Sequence, residues 1–145
     1  MQIAGAMILL DLAATEALAA RHAALARPGD AVLLSGPLGA GKSAYARAFL
    51  RALTGTPALE VPSPTFTIVQ SYDLPAGVAH HLDLYRLAGP ADLRELGWDE
   101  MLADILLVEW PDRLGALAPV GALRIALDFA EGDARHASIS GWEGR

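Results

Sequence analysis

One segment of the sequence has the glycine spacing of a phosphate-binding loop. It matches the pattern G-x-x-x-x-G-K-[ST] at every fixed position and reads Gly36-Pro37-Leu38-Gly39-Ala40-Gly41-Lys42-Ser43. The three glycines allow the backbone to turn sharply, so that the loop amides, that of Ala40 included, point at a phosphate. The helix predicted to follow directs the positive end of its dipole at the same anion. The segment therefore predicts a cradle for phosphate groups.

Lys42 and Ser43 supply the charge and the hydroxyl that such a cradle uses. In loops of this pattern the lysine reaches the β- and γ-phosphates, and the serine places its hydroxyl on Mg²⁺. Lys42 is also the only lysine in the chain, since all the other residues in the lysine and arginine total are arginines. The single ammonium group thus lies where a compact phosphate-binding charge is needed. We expect ATP and Mg²⁺ to be the ligands.

A metal-bound nucleotide also requires a carboxylate, and Glu109 is the first candidate. It ends the apolar run 105–108, which is typical of a buried strand, and a strand-end acid holds Mg²⁺ in many P-loop proteins. The commonest residue at this position is aspartate rather than glutamate. The sequence alone leaves open a structural alternative in which Glu109 points into solvent.

Asp83 is the second acidic candidate, for metal placement or for orienting the attacking water. It lies in the strand-like segment 81–87, where alternation places His81, Asp83 and Tyr85 on one face. An acid in a strand is costly to bury unless it is paired or faces a site. A pair between Asp83 and Arg86, or another arginine, is the structural alternative.

Other residues have two interpretations. Thr65, in the segment 63–65, lies downstream of the loop and its helix, where a segment that senses the γ-phosphate is expected. Threonine is equally a good strand residue. Trp110 is more typical of packing than of stacking on a nucleotide base. His80 and His81 are adjacent and would face opposite ways in a strand, which argues against a pair of metal ligands.

The order of patterns along the chain predicts an α/β fold. Helices are predicted at 11–26, with Asp11 as the N-cap, and at 42–53 and 90–96. Extended segments are predicted at 3–10, 31–34, 61–72, 78–87, 105–110, 123–129 and 134–142. We expect a three-layer P-loop NTPase fold with a largely parallel central sheet and a C-terminal antiparallel hairpin. One domain would span residues 1–145.

Composition restricts the classes of function. The chain has 145 residues, no cysteine and a net charge of −6, so thiol chemistry is excluded and unaided nucleic-acid binding is disfavoured. No apolar stretch is long enough to span a bilayer. The apolar segment 3–10 has no basic residues before it, which argues for a first strand rather than a signal peptide. We expect a cytoplasmic protein.

Taken together, these motifs resemble the bacterial TsaE family (older name YjeE), the small ATPase of tRNA threonylcarbamoyladenosine synthesis. The resemblance covers roughly residues 11–140. Its blocks are, in order, residues 36–43, Ser63-Pro64-Thr65-Phe66-Thr67-Ile68-Val69, His81-Leu82-Asp83-Leu84-Tyr85-Arg86-Leu87 and Leu107-Val108-Glu109-Trp110-Pro111. Many families share the first block, whereas the other three in this order are much more specific. Departures are small: Ser43 replaces a common threonine, and Phe66 replaces a frequent tyrosine.

The resemblance implies roles for individual residues. The loop amides and Lys42 would bind the phosphates of ATP, and Ser43 and Glu109 would hold Mg²⁺. Thr65 would lie in a switch-like loop, and Asp83 would be the second functional acid. Outside the blocks, the resemblance places Asp11 and Thr15 near the nucleotide base and Arg135 near its far end, as further cofactor-binding residues.

The resemblance also implies partners. The chain would act as a nucleotide switch on the TsaB and TsaD proteins, and would meet tRNA only through them. ATP hydrolysis would be slow in the isolated chain and faster with its partners.

Three other functions can be weighed against this one. A small-molecule kinase shares the loop but needs an acceptor pocket and usually an arginine-bearing lid, for which 145 residues leave little room. A GTPase usually selects guanine with an Asn-Lys-x-Asp loop, and this chain has no asparagine and no second lysine. A nucleotide-dependent binding module without hydrolysis is not separated by sequence from an ATPase.

Overall fold

The computed structural model describes residues 5–145, and these residues form one seven-stranded mixed sheet with helices on both faces. The strands are β1 (Gly5–Leu9), β2 (Ala31–Ser35), β3 (Val69–Leu74), β4 (Gly77–Asp83), β5 (Ile105–Glu109), β6 (Leu123–Phe129) and β7 (Arg135–Ser140). Their order across the sheet is β1-β7-β6-β2-β5-β4-β3. The central strands β6, β2, β5 and β4 pair in parallel, and the outer pairs are antiparallel. The predicted parallel centre and C-terminal hairpin are confirmed.

Two groups of helices cover the sheet. The helices α1 (Leu12–Leu25) and α2 (Lys42–Thr54) pack on one face, around a core that includes Phe49 and Leu107. The helices α3 (Pro90–Glu95) and α4 (Trp98–Met101) and a 3-10 helix (Pro111–Leu117) cover part of the other face, around Trp98. The predicted α/β class is therefore confirmed.

The pattern of burial explains why the central strands lie where they do. The strands β2 and β5 are apolar along their length and buried on both faces, as strands in the middle of a parallel sheet must be. In β6 and β7 buried and exposed residues alternate, so one face of this part of the sheet meets solvent. The carboxyl ends of β2, β4 and β5 meet at one edge of the buried centre of the sheet.

Capping residues mark the start of α1 and the end of α2. The side chain of Asp11 accepts a hydrogen bond from the amide of Ala14 at 2.9 Å, so α1 begins where the sequence predicted. The helix α2 ends at Gly55, which has a φ of +67° and lies two residues before Pro57. The start of α1 and the end of α2 therefore follow from residue types that the sequence shows.

Two predicted strands were too long. The segment 61–68 is not extended as predicted, because Pro64 lacks a backbone donor and its carbonyl accepts from the amide of Ile68 at 2.6 Å in a turn. Beyond β4, the amide of Leu87 donates to the carbonyl of Leu84 in a second turn. The predicted strand 78–87 therefore ends at Asp83. The first predicted strand is confirmed as β1, except that residues 3–4 lie outside the described residues.

Within residues 5–145, no helix is long and apolar enough to cross a membrane. This agrees with the absence of a long apolar stretch in the sequence.

A buried histidine joins the two helices of the first layer. His22 of α1 lies 2.7 Å from the Tyr45 hydroxyl of α2, and both side chains are almost inaccessible to solvent. Burial lowers the pKa of His22 to about 4, and the positive charge of Arg21 acts in the same direction. The ring is therefore neutral at physiological pH and shares a hydrogen bond with the Tyr45 hydroxyl through Nδ1.

This histidine should make the protein less stable in mild acid. Between pH 6.5 and about 4 the unfolded chain binds a proton at His22 that the folded chain excludes, so the free energy of unfolding falls as pH falls. The loss from this residue between pH 7 and pH 5 is about 2 kcal/mol. Chemical denaturation at both pH values measures it. His22→Leu should lose less over that interval, and the exposed control His136→Leu should behave as the native protein does. Equal losses in all three would contradict the assignment.

Candidate active site

The glycine-rich loop joins β2 to α2 and has the backbone shape of a phosphate cradle. Gly36, Gly39 and Gly41 have φ values of +143°, +82° and +108°, a region that other residues rarely adopt. A Cβ atom at Gly36 would lie 2.3 Å from the carbonyl oxygen of Leu127, so only glycine fits there. The buried Ala40 completes the turn, its amide donating to the carbonyl of Pro37 at 3.2 Å. The loop amides lie at the N-terminus of α2, where an anion is stabilised.

Lys42 is held inside this cleft by the loop and by an aromatic ring. Its Nζ donates to the carbonyls of Gly36 and Pro37, the latter at 3.2 Å, and lies 4.4 Å from the ring centre of Trp110. Burial lowers the pKa of Lys42, while the carboxylates of Glu109 and Asp83 act against that shift. Among residues 5–145 the direct partners of this ammonium group are neutral, so its charge remains available to a phosphate that enters the cleft.

The two candidate acids are neighbours across adjacent strands. Asp83 of β4 is paired in register with Glu109 of β5, and both residues are buried, at 6% and 5% exposure. The structure therefore does not place Glu109 in solvent. Its Oε2 atom lies 2.7 Å from Nε2 of His81, which is 2% exposed. Two buried acids beside one lysine form a site that attracts a cation.

Within the described residues, the Asp83 side chain is bound by Thr65 and by the amide of Tyr85, and not by an arginine. Its Oδ2 accepts from the Thr65 hydroxyl at 3.2 Å, and its Oδ1 accepts from the amide of Tyr85 at 3.0 Å. Arg86, the alternative partner, lies over the ring of Phe66 at 4.4 Å. The turn at residues 64–68 that replaced the predicted strand is what brings Thr65 to this position.

These groups line one cleft of about 250 Å³. It brings together most of the site residues predicted from the sequence: Gly39, Gly41, Lys42, Ser43, Thr65, Asp83 and Glu109. Gly36 lies against it through its bond to Lys42. Ser63, Leu38 and Trp110 also line the cleft and were not predicted as site residues.

The donors in this cleft suit Mg²⁺ bound together with a nucleotide. The hydroxyl of Ser43 and the carboxylates of Asp83 and Glu109 are hard oxygen ligands of the kind this ion prefers. Among the described residues no group of three or more histidine, cysteine, aspartate or glutamate side chains could hold a metal alone. Mg²⁺ is usually held by one or two carboxylates plus substrate phosphates and water, so the donor set fits the ion.

A second cleft, of about 360 Å³, adjoins the first at Gly41. It contains Asp11 and Thr15, at the start of α1, and Arg135, which is distant in sequence and which the strand pair β1–β7 brings next to them. Arg135 donates to the carbonyl of Gly39 at 3.3 Å, which ties this cleft to the phosphate loop. A nucleotide with its phosphates on the loop would have room here for its base.

Sequence reasoning missed two residues of the site. His81 was noted only for its face of the strand and as half of an improbable metal pair, whereas it contacts Glu109. Trp110 was interpreted as packing, and it does pack against the second core, but its ring also lies over Lys42 and 4.9 Å from the ring of Tyr85. Its φ of +57° is unusual for a bulky residue and directs the chain into the 3-10 helix. His81 lies two residues before Asp83, and Trp110 directly follows Glu109. This proximity in the sequence was the available signal.

Comparisons with known proteins agree with this geometry. The profile of the family described as threonylcarbamoyl adenosine biosynthesis protein TsaE matches residues 9–137. Proteins named tRNA threonylcarbamoyladenosine biosynthesis protein TsaE are similar to this chain. That of Rickettsia bellii is 34% identical over 127 residues, covering 87% of this chain and 88% of the relative. That of Bacillus subtilis is 35% identical over 128 residues, covering 87% and 78%.

A solved structure extends the likeness to the fold. The crystal structure of Bacillus subtilis YdiB superposes with a TM-score of 0.73 and 29% identity, covering 94% of this chain and 84% of that chain. The family profile matches most of the chain, and the relatives are matched over most of their own length. The chain therefore belongs to the TsaE family.

Proposed function

We propose that this chain is a Mg²⁺-dependent ATP-binding and ATP-hydrolysing subunit of the machinery that forms N6-threonylcarbamoyladenosine at position 37 of tRNA. Residues 1–145 would act as one P-loop ATPase domain in the cytoplasm, as a nucleotide switch on TsaB and TsaD. The observation that carries the proposal is the single cleft in which Lys42 and the glycine loop face Asp83 and Glu109. Membership of the TsaE family supports the pathway.

The residues of the cleft would divide the work. The loop amides and Lys42 bind the phosphates and compensate their charge, which holds the γ-phosphate in one place. Ser43 and Glu109 would hold Mg²⁺, which would supply further charge stabilisation. Asp83, fixed by Thr65 and the amide of Tyr85, would orient a water molecule toward the γ-phosphate.

Nucleotide state would be sensed by the Thr65 loop. Its hydroxyl contacts Asp83 at 3.2 Å and Ser63 at 2.6 Å, so the loop is tied to the site by hydroxyl groups that a phosphate could displace. The loop also carries Phe66, whose side chain is 79% exposed. A change of its bonds on hydrolysis would change an exposed surface, as a switch requires. The adjoining cleft with Asp11, Thr15 and Arg135 would take the adenine base.

Lys42→Ala tests the proposal at its centre. The variant should fold but lose at least about tenfold in affinity for Mg-ATP, because a charge-assisted bond to phosphate contributes about 1.5–3 kcal/mol. Isothermal titration with a non-hydrolysable ATP analogue measures this. Arg47→Ala, which removes a charge from the same helix outside the cleft, should bind normally. Native affinity in a folded Lys42→Ala protein would refute the nucleotide site.

The single lysine allows an independent test of the same contact. ATP should protect the ε-amino group of Lys42 from acylation, because the amine is then covered by phosphate. The terminal amine reports the general reactivity of the reagent. Equal labelling of Lys42 with and without ATP would place the nucleotide elsewhere.

A further inference from the structure

Within residues 5–145 the side chain of His81 makes one polar contact, and that contact is with Glu109. Its Nε2 lies 2.7 Å from Oε2 of the carboxylate, and the two side chains are 2% and 7% exposed. A carboxylate can only accept, so Nε2 carries the hydrogen and donates it. The bond uses one of the two carboxylate oxygens and leaves the other for a cation.

The register of β4 and β5 explains how the contact with His81 orients the side chain of Glu109. Asp83 is opposite Glu109 in the β4–β5 pair, and His81 is opposite Leu107, two residues earlier on the same face. Glu109 thus lies opposite Asp83 on the neighbouring strand, and His81 lies two residues before Asp83 on that strand. Two neighbouring carboxylates repel, and a glutamate has several rotatable bonds, so without a partner it would turn away from Asp83. The bond to His81 opposes that turn.

The other nitrogen of the ring shows what this arrangement costs. Nδ1 of His81 is buried and has no hydrogen-bond partner within residues 5–145. A buried polar atom without a partner destabilises the fold, and an apolar residue at this position would avoid that cost. The ring is therefore placed for its Nε2 bond and not for its own complete hydrogen bonding.

We propose that His81 is a positioning residue that holds the Glu109 carboxylate in its orientation for Mg²⁺. This inference rests on the proposed function, since it gives His81 a purpose only if Glu109 serves the metal. His81 acts through the Glu109 carboxylate alone and not by contact with the nucleotide.

Three substitutions separate positioning from packing. His81→Leu keeps the bulk of the side chain and removes the donor, so the kcat for ATP hydrolysis should fall about 10–100-fold while the KM for Mg-ATP changes little. His81→Gln places an amide N–H near the position of the imidazole Nε2 and should restore most of the rate. His81→Asn is shorter, cannot reach Glu109 and should stay defective.

The neighbouring histidine is the matched control. His80 points to the opposite face of β4 and bonds Ser71 and Asp104 at 2.8 Å each, away from the cleft. His80→Leu should therefore hydrolyse ATP at the native rate. Native kcat in His81→Leu would overturn the proposal. So would a His81→Gln protein as slow as His81→Leu, because ring packing and not the N–H bond would then matter.

A spectroscopic measurement tests the bond without nucleotide and without hydrolysis. In ¹H–¹⁵N spectra of the four histidine rings, Glu109→Gln should shift the Nε2 signal of His81 and leave that of His80 in place. An unchanged His81 signal would overturn the proposal even if His81→Leu does not fold.

The two measurements also separate this inference from the proposed function. If the His81 signal shifts in Glu109→Gln but the native protein with its partners never hydrolyses ATP, the proposed function fails and the bond remains. If hydrolysis needs Glu109 but tolerates His81→Leu, the proposed function holds and the positioning role fails.

Discussion

Glu109→Gln is expected to bind Mg-ATP with near-native affinity and to hydrolyse it about 10²–10³-fold more slowly. The backbone amides of the loop and Lys42 supply most of the binding energy, and the variant leaves them intact. Glutamine keeps an oxygen that can accept from His81, so the buried ring retains its partner. What is lost is the negative charge that places the metal in the transition state, and therefore kcat falls more than affinity.

Asp83→Ala should give the same separation of binding from turnover. The substitution frees the Thr65 hydroxyl and the amide of Tyr85, which now hold the carboxylate. Asp112→Ala is the control, since this acid is exposed and lies three residues beyond Glu109. Phosphate release under single-turnover conditions, together with analogue titration, measures both quantities. If either Glu109→Gln or Asp83→Ala releases phosphate at the native rate, that residue is structural.

The sequence predicted the shape of the glycine loop well because that shape is local. Gly36, Gly39 and Gly41 all have positive φ values, and the helix that begins at Lys42 is contiguous with the loop. The buried strands β2 and β5 could be predicted as well, since each contains a short apolar run. Such features need no knowledge of the tertiary structure.

The remaining parts of the site depend on pairings that no local pattern encodes. The bond between His81 and Glu109 exists because β4 and β5 are neighbours with a particular register. Thr65 reaches Asp83 only because a turn replaces the strand predicted around it. In the adjoining cleft, Thr15 and Arg135 meet because β1 pairs with β7 at the sheet edge. Sequence periodicity predicts the helices and strands, whereas the order of the strands in the sheet determines these contacts.

The charge of the phosphate cleft suggests that the isolated chain is an incomplete catalyst. Among the described residues that line it, Lys42 is the one positively charged side chain, and no arginine reaches it. Arg135 lies in the adjoining cleft and bonds Gly39, and Arg86 lies over Phe66. The transition state for phosphoryl transfer spreads negative charge over the γ-phosphate, and one lysine compensates only part of it.

Addition of TsaB and TsaD is therefore expected to raise the rate of ATP hydrolysis, by about 10³–10⁵-fold if a partner supplies an arginine to the γ-phosphate. The rim of the cleft is suited to a partner, because Leu38 and Phe66 are 74% and 79% exposed beside it. Phe66→Ser should weaken the stimulation and leave the slow rate of the isolated chain unchanged, since this ring does not line the cleft. Steady-state phosphate release with and without the partners measures the effect.

The outcome also decides what hydrolysis is for. With a net charge of −6 the chain is poorly suited to hold tRNA itself, so its influence on tRNA would pass through proteins that it contacts. ATP would favour one arrangement of the Thr65 loop and ADP another, and the partners would be released or reset once per turnover. Fast hydrolysis by the isolated chain, or a rate that ignores TsaB and TsaD, would contradict the switch. If tRNA modification proceeds through many turnovers in its absence, the chain binds ATP for a different purpose.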